Sequence, residues 1–248
     1  MVEVQRLIAP EMLVETVPAG HCRGVFMITL YQHPVSPFCI TIEAILRYAR
    51  TEHRIVNLRY SDRRMIVEKT KGAYYKIPLL EDGETVVWDK TDLSQDIARY
   101  LDGKFKLALF PPALEGIQSI LARYIEYDLE NISFKLNDIY YESWLPDLYD
   151  RTMWLRHKER KFGQGCVAHW REHQDELQQQ LEELLLPLDQ MLSQRPFLID
   201  DSQRFVDFTL LGIIGNLTFS GHNCILSCFT HLQRWHMNLK SLCGGSLG

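Results

Sequence analysis

Residues 26–39 read FMITLYQHPVSPFC, and they predict a β-strand that leads directly into an α-helix. The apolar run at 26–31 is typical of a strand. Ser36 follows as a candidate N-cap and Pro37 as a first-turn residue, so we expect a helix over 36–50. A strand-to-helix turn in an α/β sheet places side chains and free N–H groups in the crevice where ligands bind. This stretch therefore predicts an α/β fold and the position of its site.

The residues that follow continue to alternate between strands and helices. We expect a strand at 54–59, a polar helix at 62–71, strands at 77–80 and 84–88 around a turn at 81–83, and a helix at 93–101. The order βαβ and then ββα implies a mixed sheet with helices covering it.

The second half of the chain has a helical pattern nearly throughout. Pro111 and Pro112 stiffen residues 104–112, which we interpret as an inter-domain linker. An apolar stripe at helical spacing follows, formed by Leu177, Leu181, Leu184, Leu188 and Met191. Pro187 is expected to kink or shorten that helix, whereas the uniformly apolar stretch 205–219 predicts a central buried helix. The predicted organisation is an N-terminal extension at 1–26, an α/β domain at 27–103, the linker, and an all-α domain at 113–248.

The composition is that of a globular protein and argues against several classes. The chain has 248 residues, 46% of them apolar and 24% charged, with a formal net charge of −5 at pH 7. An acidic balance argues against nucleic-acid binding, and no apolar run reaches the roughly 18–20 residues that span a bilayer. The six cysteines show no Cys/His spacing of zinc type, and Cys224 and Cys228 are interpreted as core thiols one helical turn apart. Since no secretory signal is visible, we expect a cytoplasmic location.

Ser36 is the first candidate for chemistry. A hydroxyl at a helix start can donate a hydrogen bond to a bound thiolate, and the helix N-terminus adds partial positive charge. A hydrogen bond to a charged group contributes about 1.5–3 kcal/mol, which lowers a thiol pKa by about one to two units. The thiolate nucleophile would then be populated near neutral pH. The alternative is that Ser36 only caps its helix.

Two further segments are candidates for binding an extended ligand. A cis bond between Ile77 and Pro78 would expose the backbone N–H and C=O of Ile77, with which an extended peptide could pair as an added strand. Ser94 follows Asp92 at the mouth of a predicted helix, where its hydroxyl and the free N–H groups would hold a carboxylate. An ordinary N-cap explains Ser94 equally well.

The segments at 36–39, 77–78 and 94, in this order and ahead of a helical half, resemble the cytosolic glutathione S-transferases. Residues 36–39 (SPFC) are similar to the Ser-x-x-Cys pattern of the theta-like and delta-like classes, and omega-like proteins have Cys in place of Ser36. The stretch from Phe205 through Asp207 resembles the family's buried helix, which an Asp caps. The resemblance covers about residues 27–240 and implies a thioredoxin-like N-terminal domain followed by an all-helical domain.

The resemblance also implies roles for individual residues. Ser36 would stabilise the glutathione thiolate, and Ile77 would pair with the cysteinyl backbone beside a cis Pro78. Ser94 would bind the γ-glutamyl carboxylate. The remaining candidates for contact with glutathione are Phe38 and Asp92.

This sequence departs from the family pattern at two positions. Leu93 stands where the family usually has Glu or Asp, so that Asp92 or Asp89 would have to substitute for it. Arg204 stands where the family usually has Ser or Thr, three residues before Asp207. The first departure weakens the glutamyl subsite, and the second weakens the capping box rather than the fold.

The implied activity is conjugation of glutathione to a small hydrophobic electrophile, in detoxification, by a homodimer that needs no metal. Aromatic residues after the linker are candidates for core packing or for the electrophile pocket: Tyr124, Tyr127, Phe134, Tyr140, Tyr141, Trp144 and Trp154. One alternative is a glutathione-dependent thiol reductase or dehalogenase, although a Ser36 hydroxyl forms no mixed disulfide and Cys39 is poorly placed. Another is a non-catalytic binding protein with this fold, which Leu93 keeps open.

Overall fold

The computed structural model describes residues 27–90 and 93–244, which form an α/β domain followed by a helical domain. The predicted extension at 1–26 lies outside the described residues. The four strands are β1 (Ile28–Gln32), β2 (His53–Asn57), β3 (Leu79–Asp82) and β4 (Thr85–Trp88). The helices of this domain are α1 (Pro37–Tyr48), α2 (Arg64–Lys69) and α3 (Asp96–Phe105). This order confirms the predicted βαβ and ββα halves of a thioredoxin-like domain.

The sheet is mixed, with strand order β2-β1-β3-β4. β1 runs parallel to β2 and antiparallel to β3, and Leu30 of β1 aligns with Ile55 and Leu80. Because side chains alternate along a strand, Leu30 and Tyr31 point to opposite faces. Leu30 belongs to the main core, whereas Tyr31 packs in a smaller cluster with Ile66 of α2. The sheet is therefore covered by helices on both faces.

The helical domain contains seven α-helices in the part of the chain that the structure describes. They are α4 (Glu115–Arg123), α5 (Glu130–Tyr141), α6 (Leu148–Phe162), α7 (Cys166–Glu172), α8 (Gln174–Ser193), α9 (Phe205–Thr218) and α10 (Thr230–Leu242). A π-helical turn, Tyr124–Leu129, joins α4 to α5. No helix within residues 27–90 and 93–244 combines the length and the apolar character needed to cross a membrane.

The helix α8 runs past Pro187 to Ser193, so the expected shortening does not occur. Pro187 is exposed on the outer face of the helix. The carbonyl of Glu183, which loses its donor to the proline ring, also belongs to an exposed residue and can bind water. The apolar stripe of α8 is otherwise buried as expected, through Leu181 and Leu188.

The interpretation of Cys224 and Cys228 as core thiols is wrong. Both side chains are exposed, and they lie in the irregular segment between α9 and α10 rather than on a helix. Their spacing of four residues therefore does not place them on one buried face. Ile225 and Leu226 provide the apolar contacts of this segment with the core instead.

Asp207 fixes the start of α9, as the resemblance implies. Its Oδ2 accepts a hydrogen bond from the Arg204 N–H (2.8 Å), and its Oδ1 accepts bonds from the Leu198 N–H and the Trp235 indole N–H (2.9 Å each). The guanidinium of Arg204 carries no acceptor and pairs with Asp200. Only the Asp207 half of the capping box is therefore formed through a side chain. Burial raises the pKa of Asp207 to about 6 despite the three donors.

Candidate functional site

Ser36 lies at the N-cap position of α1, but its hydroxyl does not cap the helix. The Ser36 N–H donates to the His33 carbonyl (2.9 Å), and its carbonyl accepts the Ile40 N–H (3.0 Å). The side chain is half-buried and lies within hydrogen-bonding reach of the Cys39 thiol. The alternative in which Ser36 serves only as a side-chain cap is therefore wrong.

Helix α9 of the helical domain contacts the turn that carries Ser36. Asn216 donates a hydrogen bond from Nδ2 to the Val35 carbonyl (2.8 Å), and the Thr41 hydroxyl lies 3.2 Å from the Phe208 carbonyl. Gly212 allows α9 to approach α1 closely, because a Cβ at that position would overlap the Pro37 carbonyl oxygen. The position of Ser36 therefore depends on contacts between the two domains.

His33 links the domains and is not available as a base. Its Nδ1 lies 2.9 Å from the Leu58 carbonyl, which can only accept, so Nδ1 carries the proton. Nε2 then accepts a hydrogen bond from the Tyr141 hydroxyl (2.6 Å). Burial lowers the pKa of His33 to about 4, which keeps the ring neutral at pH 7.

Cys39 and Tyr31 are both engaged in the fold. Cys39 is fully buried, and burial raises its pKa to about 12 in spite of hydrogen bonds from the His33 backbone and the Ser36 side chain. The Tyr31 hydroxyl donates to Glu81 (2.7 Å), and Tyr31 is itself buried. Neither the buried Cys39 thiol nor the bonded Tyr31 hydroxyl is therefore available to a ligand in this structure.

Ile77 presents a free backbone edge beside the sheet. The peptide bond between Ile77 and Pro78 is cis, as the resemblance implies, and Pro78 is buried. The Ile77 side chain packs on the cluster that contains Tyr31 and Leu79. Within the described residues, neither the N–H nor the C=O of Ile77 has a hydrogen-bond partner. An extended peptide could use both groups.

The start of α3 differs from the expectation for Ser94. The N-cap is Gln95, and Ser94 precedes it in a left-handed conformation with φ 46°. Ser94 is therefore no ordinary N-cap, and its hydroxyl has no partner among residues 27–90 and 93–244. The carboxylate of Asp89 accepts the Ile97 N–H (3.1 Å) and also a hydrogen bond from the Asp96 backbone. An internal carboxylate thus holds N–H groups that were expected for the ligand.

The structure gives the position of Leu93 but does not describe Asp92. Leu93 is half-buried and packs against the main core. Asp92, the other candidate for the missing acidic residue, lies outside the described residues. Asp89 is therefore the substitute candidate whose position the structure gives.

Sequence analysis missed Glu126, which lies in the π-helical turn after α4. Only 8% of Glu126 is exposed, and its Oε1 has no hydrogen-bond partner in the described chain. Burial and then the charge of Asp89 raise the pKa of Glu126 to about 8, while burial raises that of Asp89 to about 6. The two carboxyl groups, one from each domain, are near enough for their charges to interact, and we call them the acidic pair. The available signal was an acid inside an apolar pattern, between Ile125 and Leu129.

Arg63, in the loop before α2, is a second residue that sequence analysis missed. Its guanidinium donates to the carbonyls of Arg59 (2.6 Å) and Asp62 (3.2 Å), and no carboxylate pairs with it in the described ranges. Its positive charge acts to lower the pKa of Cys39, which lies three residues after Ser36. Arg63 also lines a cavity of about 620 Å³ that extends to Tyr149 of the helical domain.

The aromatic candidates divide between core and surface. Phe134, Tyr141 and Trp154 are buried, which confirms packing for these three. Tyr127 and Trp144 are about half exposed. Those two are the members of the set that a second substrate could reach most easily.

Two family models match the chain. The glutathione S-transferase N-terminal domain matches residues 30–108, and the glutathione S-transferase C-terminal domain matches residues 153–242, together more than half of the sequence. The chain belongs to the glutathione S-transferase superfamily. The thioredoxin-like domain, the mixed sheet and the helical second half agree with this family.

Solved structures share the fold of this superfamily member at low sequence identity. A glutathione transferase from Phanerochaete chrysosporium is 17% identical, with a TM-score of 0.70 over 90% of this chain and 98% of its own. A glutathione S-transferase of Ceriporiopsis subvermispora, in complex with glutathione, is 14% identical, with a TM-score of 0.71 over 88% and 96%. Glutaredoxin 2 from Salmonella typhimurium, also in complex with glutathione, is 18% identical, with a TM-score of 0.67 over 89% and 96%. No curated protein sequence matches the chain.

Proposed function

We propose that the protein is a Ser-type glutathione transferase that conjugates glutathione to a small hydrophobic electrophile. The observation that carries this proposal is the Ser36 hydroxyl, half-buried at the start of α1 and not used as a cap. The hydroxyl donates a hydrogen bond to the glutathione thiolate, while the thiol proton passes to solvent. The thiolate sulfur then forms a bond to the electrophilic carbon, and the leaving group departs with its electron pair. This chemistry needs no metal.

The cysteinyl part of glutathione binds along the free backbone edge of Ile77, beside Pro78. Its N–H and C=O pair with the two unused groups of Ile77, in the manner of an added strand. Phe38, half-buried in the first turn of α1, contributes an apolar contact next to Ser36. Arg63, which has no carboxylate partner in the described chain, receives the glycyl carboxylate.

The γ-glutamyl group binds at the start of α3. The Ser94 hydroxyl, which has no partner among residues 27–90 and 93–244, donates to the carboxylate. Asp92, two residues earlier in the sequence, is the other candidate for contact with this group. The ammonium group binds beside the acidic pair of Asp89 and Glu126, where it supplies a positive charge next to two carboxyl groups whose pKa values are raised. Glu126 thereby replaces, from the helical domain, the acid that Leu93 does not provide.

The central experiment compares thioether formation from glutathione and a generic aryl halide in wild-type protein, Ser36→Ala and Ser36→Thr. Loss of a hydrogen bond worth about 1.5–3 kcal/mol lowers kcat/KM roughly 10-fold to 150-fold in Ser36→Ala. Ser36→Thr keeps a hydroxyl and retains more activity. Unchanged kcat/KM in Ser36→Ala refutes the role of Ser36.

Calorimetry with S-methylglutathione tests binding at the acidic pair without involving a thiol. At pH 7 Glu126 is largely protonated, since its pKa is about 8, and pairing with an ammonium group favours the carboxylate. Binding should therefore release protons, so that the observed enthalpy depends on the ionisation enthalpy of the buffer. Glu126→Gln should reduce this proton release, and equal release by wild type and variant would contradict binding of the ammonium group at the acidic pair.

The alternatives predict different results. A thiol reductase would need an accessible thiolate, and the fully buried Cys39, with a pKa of about 12, disfavours it. A non-catalytic binding protein would form no thioether. A protein that neither binds immobilised glutathione nor forms a thioether would fit only a scaffold role.

A homodimer through the outer face of α4 agrees with the exposed residues there. Ile117 is 42% exposed and Ile120 66%, at a spacing of three residues that places them on one face of α4. In sedimentation equilibrium the wild type should be a dimer and Ile120→Glu a monomer. Met237→Glu, at an equally exposed site on α10, is the control that should stay dimeric. The expected cytoplasmic location and detoxification role stay predictions.

A further inference from the structure

The junction between α7 and α8 brings together three side chains that can ligate a metal. His169 and Glu172 lie on α7, and His173 follows it directly, before α8 begins at Gln174. One ligand atom from each residue lies within 4.8 Å of the other two. His169 and Glu172 are exposed and His173 is half-buried, so a metal ion can reach the cluster from solvent. The cluster includes none of the residues assigned to glutathione.

The hydrogen bonding of His173 prepares its ring for ligation. Its Nδ1 lies 2.8 Å from the His169 carbonyl, which also accepts the backbone N–H of His173 (3.1 Å). Since a carbonyl only accepts, Nδ1 carries the proton, and the lone pair is left on Nε2. In metal sites the imidazole nitrogen that does not bind the metal commonly donates a hydrogen bond to a backbone carbonyl, and this bond orients the histidine ligand.

The spacing of the two imidazoles also suits a shared ion. Histidines four residues apart lie on one face of a helical turn, and here the ring centroids are 4.0 Å apart with an interplanar angle of 42°. Zn–N distances of about 2.0–2.1 Å in a tetrahedron place two ligand atoms about 3.4 Å apart. The ligand atoms lie within 4.8 Å of one another, and small rotations of the side chains would bring them to this separation.

The surrounding charges favour a cation. Asp175 and Glu176 add two carboxylates in the first turn of α8. Arg171, the adjacent cation in the sequence, donates a hydrogen bond from its guanidinium to the Ile139 carbonyl (3.0 Å). A ligand set of two imidazoles and one carboxylate is typical of zinc and its divalent neighbours.

We propose that His169, Glu172 and His173 form a divalent transition-metal site of the zinc type that clamps the end of α7 to the start of α8. Solvent completes the coordination. Sequence analysis expected no metal site because it looked for combined Cys/His spacings of zinc-finger type, of which this His-x-x-x-His pair supplies only the histidine half. The site stabilises the helical domain and takes no part in the conjugation reaction.

Cobalt titration of the full chain tests the proposal. Co²⁺ bound to wild-type protein should give the visible d–d bands of a low-coordinate site, and Zn²⁺ should displace it. His169→Gln and His173→Gln should each weaken binding at least about tenfold, by comparison with the loss seen when only an outer-shell partner is removed. His53→Gln, a histidine at the start of β2 outside the cluster, is the matched control that keeps full affinity.

Two readouts separate this site from others on the chain. Binding at the exposed Cys224 or Cys228 would add a sulfur-to-cobalt charge-transfer band, which the proposed site lacks. Zn²⁺ should raise the melting temperature of wild type and of His53→Gln but not of His169→Gln, because the ion binds only the folded state. Equal cobalt affinity in wild type and His169→Gln, or no d–d bands and no thermal shift in wild type, would overturn the proposal.

Discussion

Replacement of Gly212 by alanine tests the contact that places Ser36. An alanine Cβ would lie 3.2 Å from the Pro37 carbonyl carbon and would overlap the carbonyl oxygen and the Thr41 hydroxyl. Non-bonded carbon atoms favour separations of about 3.5–4.0 Å, so α9 must move away from α1 by on the order of 1 Å. The obstacle is backbone, which cannot rotate aside as a side chain can. The turn that carries Ser36 therefore moves with α1.

The expected magnitude follows from two opposing effects. Overpacking a core costs about 1–3 kcal/mol, and the backbone obstacle favours the upper end. Alanine is a better helix former than glycine by about 1 kcal/mol, which offsets part of the loss. The net destabilisation of Gly212→Ala is about 1–2 kcal/mol, which lowers the melting temperature by roughly 2–8 °C in a domain of 150–250 residues.

Two other glycines in helices provide matched controls. An alanine Cβ at Gly215 would lie 3.1 Å from Cδ1 and Cγ2 of Ile40, a flexible side chain that can adjust, so Gly215→Ala should be nearly neutral. Gly116 on α4 has nothing within 4 Å, so Gly116→Ala should stabilise by up to about 1 kcal/mol. Thermal unfolding and glutathione conjugation are measured for all three. If Gly212→Ala is as stable and as active as wild type, the proposed α1–α9 constraint on Ser36 is wrong.

Three further predictions concern buried polar groups. Asp207→Asn leaves a single acceptor oxygen for three buried donors, including the Trp235 indole N–H, and should lower the free energy of unfolding by about 2 kcal/mol in urea titrations; an unchanged midpoint would contradict this. The folded-state pKa of Glu126 is about 8, which is above the ordinary value of 4.5, so protonated Glu126 favours the folded state. This contribution to the free energy of unfolding is full below pH 4.5 and is lost as the pH rises to 8. Between pH 5 and pH 9 this loss is on the order of 4 kcal/mol, and Glu126→Gln should show a flatter stability profile and greater stability at pH 9; parallel profiles for the two proteins would refute the assignment. Asn216→Ala removes the hydrogen bond to the Val35 carbonyl, next to Ser36. It should reduce kcat/KM for conjugation more than a variant of equal stability loss elsewhere, such as Asp207→Asn. Equal losses of kcat/KM in the two variants would argue against a role of Asn216 in positioning Ser36.

The local signals of the α/β domain predicted its elements well. The strand at 26–31, the helix that begins beside Pro37 and the hairpin near residue 83 all form, with ends shifted by a few residues. Each of these signals acts between near neighbours along the chain, through side-chain alternation, proline geometry or turn residues. The helix through Pro187 and the irregular segment at Cys224 and Cys228 were predicted less well, because solvent exposure and packing, rather than periodicity, decide them.

The candidate site shows the same division. Ser36, Ile77 and Ser94 could be selected from the sequence, since each stands at a recognisable turn or helix start. No local pattern indicated that Asp89 holds the first N–H groups of α3, because that hydrogen bond depends on the path of a loop. Glu126 became a candidate only when its helix packed against the other domain.

The sequence by itself determined the order of strands and helices and the turns that carry the glutathione-binding candidates, because those features depend on contacts over a few residues. The tertiary structure decided which distant groups meet: Asn216 with the Val35 carbonyl, 181 residues away, and Glu126 with Asp89. It also decided their electrostatics, since the pKa of a carboxyl group responds to burial and to neighbours that the chain supplies only when it is folded.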